Sequence, residues 1–126
     1  MQPVNLFDLA SQQARWLSVR QTAVSSNIAN ANTPGYGAVD VEPFEAVLDQ
    51  KRVAMRATHP MHIPASTSAG GFSVRQVNES SPTMPSGNSV VLENELMKSG
   101  EVRRSFEMNT AVVKSFHRML MMTTRS

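Results

Sequence analysis

Apolar residues crowd the two ends of this chain and thin out between them. From Phe7 onward, Ala10, Ala14, Leu17, Gln21, Val24, Ile28 and Ala31 recur at alternating spacings of three and four. That spacing keeps them on one stripe of a helix, with only Gln21 breaking the apolar seam. The stripe predicts a helix over residues 6–31, roughly 40 Å long from the rise per residue. Asn5 or Asp8 supplies its cap and first-turn acid.

Toward the other end, Leu92, Ser99, Phe106, Val113 and Leu120 stand at heptad spacing, and Leu96, Val102, Phe116 and Met119 widen the stripe. Asn88 or Ser89 is the expected cap. Glu93 and Glu95 fall early in this helix, and Lys114, Arg118 and Arg125 fall late, as the helix dipole favours. Gly100 costs about 1 kcal/mol relative to alanine and marks the expected place for a bend or a close helix contact. A helical pattern this long needs a partner, and the two terminal helices are the natural pair. Their apolar faces are too wide for one another alone. Further copies or homologous subunits are expected to cover the remainder, leaving the ends of an isolated chain poorly ordered.

The 126 residues include seven Pro and six Gly that, with many Ser and Asn, fall mainly in the middle third. The fold class is therefore all-α dominated: long N- and C-terminal helices packed as a coiled-coil-like pair around an irregular middle segment. Residues 1–32 with 87–126 form the helical unit, and 33–86 form the turn-rich middle. Within it, residues 46–52 read as a short helix, 71–77 alternate as a strand of a small β-hairpin, and 80–88 read as a loop.

Composition narrows the function by exclusion. Twelve basic and ten acidic residues, net +2, are spread along the chain, so no basic stripe awaits a nucleic acid. With no cysteine, disulfide, thiolate-metal and thiol-nucleophile chemistry are all ruled out. No apolar run approaches membrane-spanning length, and no basic-then-apolar leader opens the chain. His59 and His62 have a spacing that suits a metal on a helix, but Pro60 lies between them and no carboxylate cluster completes a ligand set. No serine has a His and Asp constellation, and no glycine loop follows a strand, so neither an enzyme nor a cofactor is expected. The nine methionines, Met119, Met121 and Met122 among them, suit packing against several slightly different neighbours.

The most informative segment closes the first helix: Ser26-Asn27-Ile28-Ala29-Asn30-Ala31-Asn32-Thr33-Pro34-Gly35-Tyr36. Thr33-Pro34-Gly35-Tyr36 fits a type II turn, with Pro34 setting φ at its second position and Gly35 taking the positive φ at its third. Asn27, Asn30 and Asn32 are placed to bond backbone groups near the helix end. Tyr36 and Phe44 offer apolar bodies that pin the exiting chain onto a helix.

This segment resembles the signature of the bacterial flagellar axial proteins, whose N-terminal helix closes in an Asn-Ile-Ala-Asn-x-x-Thr-Pro-Gly-Tyr type of sequence. The likeness continues to Phe44-Glu45 and resumes at Gly87-Asn88-Ser89-Val90-Val91-Leu92-Glu93-Asn94-Glu95, similar to the segment before the final helix of the proximal rod subunits. The resemblance implies a structural subunit of the basal-body rod that polymerises through its terminal helices and transmits torque. It implies export without a cleaved signal peptide to a rod crossing the periplasmic space. Its implied partners are other rod subunits, the inner-membrane ring with its adaptor protein, and the export gate, in a helical hetero-oligomer. Leu17, Val24 and Ile28 would form the first seam, Asn27 to Tyr36 with Phe44 the junction, and Leu92, Leu96, Phe106, Val113, Phe116 and Leu120 the second seam. The near alternative is a sister rod subunit. A more remote one is a helical adaptor or export-chaperone-like protein that holds a partner helix on the same stripes.

Overall fold

The computed structural model describes residues 5–50, 61, 72–77 and 84–125. Helix α1 spans Leu6–Ala29 and helix α3 spans Leu92–Thr124, with strand β1 (Val39–Val41), helix α2 (Phe44–Gln50) and strand β2 (Val74–Gln76) between them. The long helices run antiparallel: Asn27 meets Glu95, Gln13 meets Asn109, and the Phe7 ring meets Phe116 edge-on at 5.2 Å. The first two contacts lie fourteen residues apart on each helix, so one register holds along the pair.

Asn5 is the N-cap of α1, its Oδ1 accepting from Phe7 N–H at 3.1 Å and Asp8 N–H at 3.3 Å, which satisfies two of the donors a helix start leaves open. The helix stops at Ala29, two residues short of the expected end, and the chain tightens into i→i+3 turns, Ala31 N–H donating to Ile28 O at 3.3 Å and Thr33 N–H to Asn30 O at 3.0 Å. Asn30 closes it, donating its Nδ2–H to the Ser26 carbonyl at 2.8 Å.

The start of α3 differs from expectation. Val91 is the N-cap and no side chain caps it. Asn88 and Ser89 are engaged elsewhere: Asn88 bonds the end of α1, and Ser89 Oγ accepts from Ala38 N–H at 2.8 Å. The line of α3 that faces α1 is also shifted from the expected heptad. Glu95, Val102, Asn109 and Phe116 occupy it, with Val102 1% exposed and Glu95 2%. Leu92, Leu96, Leu120 and Met119 are exposed instead.

Gly100 lies inside the unbroken α3 and admits no close neighbour, since nothing lies within 4 Å of a Cβ built there. Gly100→Ala is therefore expected to stabilise the isolated chain by about 1 kcal/mol, read as a raised urea midpoint.

In the middle, β1 pairs antiparallel with β2 in the register Val39↔Gln76, Asp40↔Arg75 and Val41↔Val74. The expected strand over 71–77 is thus found at Val74–Gln76. The short helix begins at Phe44 rather than at 46, and residues 51 and 52 lie outside the described residues, as do His59, His62 and 78–83. Val41, at 7% exposure, joins Leu17, Ala23, Val24, Val90 and Val102 in a small core at the junction end.

Candidate assembly site

At the junction two turns clasp each other. Tyr36 N–H donates to Thr33 O at 3.3 Å, and Gly35 takes φ +75°, as the Pro-Gly turn requires. Opposite it, Gly87 takes φ +78°, and a Cβ there would sit 3.5 Å from Gly35 Cα. Gly35 N–H donates to Ser86 O at 2.9 Å and Ser89 N–H to Tyr36 O at 3.1 Å. Asn88, 2% exposed, seals the clasp. Its Nδ2 donates to the carbonyls of Asn30, Ala31 and Thr33, each at 2.9 Å, while its Oδ1 accepts from Val90 N–H at 2.8 Å. Two hydrogens serve three acceptors, so one bond is shared. The carbonyls of the turn that follows α1 are thereby tied down by a residue 55 to 58 positions away.

Asn27 is fully buried and ties three elements together. Its Oδ1 accepts from Val39 N–H at 3.0 Å, and its Nδ2 donates to Val39 O at 2.7 Å and to Glu95 Oε2 at 3.1 Å. The amide thus pairs with β1 as a neighbouring strand would and fixes the buried carboxylate of α3. A charged chain continues outward. Lys98 Nζ lies 3.4 Å from Glu95 Oε1 and 3.5 Å from Asp40 Oδ2, and Arg20 lies 3.5 Å from both Asp40 and Glu101. Trp16 stacks near Arg20 at 5.5 Å, donates its Nε1–H to Glu42 O at 2.7 Å and packs on Phe44 at 5.8 Å.

The expected site residues divide into two groups. Leu17 and Val24 are buried between the helices, and Asn27 lies at the centre of the junction. Ile28, Asn30, Tyr36, Phe44, Phe106, Val113 and Phe116 are half-buried, with the Tyr36 hydroxyl 3.1 Å from Ser26 Oγ. Asn32, Thr33, Pro34 and Gly35 are exposed, and Asn32 makes no bond to the helix end. Leu92, Leu96 and Leu120 are exposed.

Sequence reading missed Trp16, Arg20, Asp40, Asn88 as a clasp, Glu95, Lys98 and Asn109. The available signal was that Glu95 and Asn109 stand at heptad spacing from Val102 and Phe116, polar residues on an otherwise apolar line. Among the described residues no group of three or more His, Cys, Asp or Glu is placed to hold a metal ion, and no helix is long and apolar enough to cross a membrane.

Two apolar surfaces are uncovered. Past Phe116, α3 extends beyond its contact with Phe7 and exposes Met119, Leu120, Met121 and Met122. Between the start of α1 and the middle of α3 lies a groove of about 150 Å³ lined by Leu6, Leu9, Ala10, Met108 and Val112, with Gln13, Ser105 and Asn109 among them. The volume is small, but the walls are the sides of two long helices, which is the shape a third helix fits.

Residues 11–36, most of α1 together with the Pro-Gly turn, match the family described as Flagella basal body rod protein. The chain is similar to the flagellar basal body rod protein FlgB of Agrobacterium fabrum (strain C58), at 50% identity across 99% of this chain and 96% of that protein. It is similar to the protein of that name from Aeromonas hydrophila, at 32% identity across 75% of this chain and 72% of that protein. A shorter likeness, 45% identity over 38% of this chain and 41% of that protein, links it to the one from Yersinia enterocolitica.

Proposed function

The chain belongs to the FlgB family of flagellar basal body rod proteins, and from that premise we propose that it polymerises through its terminal helices into the proximal rod, the shaft that carries torque. Residues 1–32 with 87–126 form the inner helical layer, and 33–86 make the outer contacts. Its neighbours are other rod subunits, the inner-membrane ring with its adaptor protein, and the export gate. The rod spans the periplasmic space, and the subunit reaches it through the flagellar export apparatus without a cleaved signal peptide. The role is mechanical rather than catalytic.

The observation that supports polymerisation best is the apolar surface of α3 left uncovered by its own chain: Leu92, Leu96, Met97, Met108, Met119, Leu120 and Met122. Monomeric proteins rarely leave so much apolar side chain along one element. Burying each of these against a neighbour contributes about 1.5–3 kcal/mol before the cost of association. Repeated contacts that do not close on themselves extend into a helical tube. Sliding one subunit past another would expose these seams to water, which is how such a shaft resists shear.

Sedimentation of the purified chain over a wide concentration range tests this reading. Open-ended growth, with helicity rising as it assembles, is the expected result. A folded particle of fixed stoichiometry holding one partner helix would instead indicate the adaptor.

A further inference from the structure

We infer that neighbouring copies of this chain mate through two different faces of the helix pair, the acidic α2 flank of one copy against the basic outer face of α3 of the next. The inference rests on the rod reading and names a contact within it. One flank is marked by β1 and α2, where Lys98 and Arg20 reach Asp40, Arg20 reaches Glu101, and Trp16 holds Phe44. On α2, Glu45 and Asp49 stand one turn apart and exposed, and neither makes an ion pair among the described residues.

On α3, Lys114 and Arg118 likewise stand one turn apart, exposed and without an ion pair among the described residues. They border a shallow depression with Val113, His117 and Met121. Stepping round the helix by about 100° per residue puts both Lys114 and Arg118 about 160° from Phe116, which meets Phe7 of α1, hence on the face of α3 turned away from α1. Leu96 lies on the same line, five turns earlier, and is 57% exposed. Between Met108 and Arg125 the helix carries no acid, so nothing on that stretch neutralises the pair.

The two charge pairs match in spacing, in exposure and, with opposite sign, in charge, yet they lie on different faces of the helix pair. They cannot meet within one chain. A two-fold axis through the α2 flank would set acid against acid. A repeated screw operation sets acid against base and leaves one flank free at each end, which is the open heterologous contact a tube needs. Trp16 lies between Gln13 and Arg20, level with α3 near Ser105, so Lys114 is about two turns further from the junction. Mating therefore requires an axial offset between neighbours, as in a helical rather than a flat ring.

Charge exchange in the native bacterium tests this contact. Lys114→Glu with Arg118→Glu, and separately Glu45→Lys with Asp49→Lys, should each abolish rods while the purified chains keep their circular dichroism, because all four side chains are exposed. The fourfold exchange should restore rods. Rods that form normally in either pair variant, or a fourfold variant as defective as the pairs, would overturn the contact and leave the rod reading standing. Rods that persist when the gene is deleted would remove that reading and this contact with it. The natural chain has no cysteine, so Glu45→Cys with Lys114→Cys gives a second readout in isolated basal bodies. A disulfide between two copies of this chain is expected, and cross-links only to other subunits would overturn the inference.

Discussion

Asn27→Ala should destabilise the folded chain by about 3 kcal/mol, because it strands three partners at once, the buried Glu95 carboxylate among them. Val39 would lose its partner on both N–H and C=O, and Glu95 Oε2 would lose the amide that faces it. Each buried polar group left unpaired costs about 1–3 kcal/mol, and a carboxylate costs more than a neutral group. Lys98 still holds Glu95 Oε1 from the other side, which keeps the loss below that of an isolated buried charge. Urea unfolding of the purified chain reads the effect. Asn27→Asp serves as a control: it keeps an acceptor for Val39 N–H but sets one carboxylate against another, so it should be no milder than alanine. A loss under about 1 kcal/mol for Asn27→Ala would show that the junction relaxes onto water and that Asn27 does not hold the three elements together.

The second large effect falls on assembly and spares the fold. Leu96→Glu combined with Leu120→Glu should leave the stability of the isolated chain within about 0.5 kcal/mol of the parent, since both side chains are already exposed. The same pair should abolish rods in cells, because a carboxylate buried in a subunit seam finds no water and no partner. Leu17→Ala is the contrasting case. That side chain is 1% exposed between α1 and α3, and its truncation should cost about 2–5 kcal/mol in the isolated chain. Normal motility in the Leu96→Glu, Leu120→Glu variant would contradict the assignment of the exposed face of α3 to assembly.

Much of the architecture is legible in the residues. The three-and-four spacing locates α1 and picks out Leu17 and Val24, Asn5 caps it, and the Pro-Gly pair places a turn where Gly35 has φ +75°. The line of α3 that faces α1 is less legible, for a physical reason. Periodicity registers all the apolar residues of a helix together, and α3 carries both buried ones against α1 and exposed ones around its other sides. The contact line carries Glu95 and Asn109, which count against it in an apolar tally although their bonds to Asn27 and Gln13 set the register.

Asn88 was misread for a related reason. An asparagine just before a helix is a good local cap, and nothing nearby reveals that its amide is engaged by carbonyls more than fifty residues away. Strand β1, three residues long with an aspartate at its centre, has too little alternation to stand out. Its edge is satisfied by Asn27 and β2, both distant in sequence.

The central claim, that this chain builds the rod, is tested most directly by deleting its gene in the native bacterium and imaging isolated basal bodies by electron microscopy, with complementation. Basal bodies without rods and non-motile cells, both restored by the intact chain, are the expected result. Intact rods in the deletion strain would contradict it.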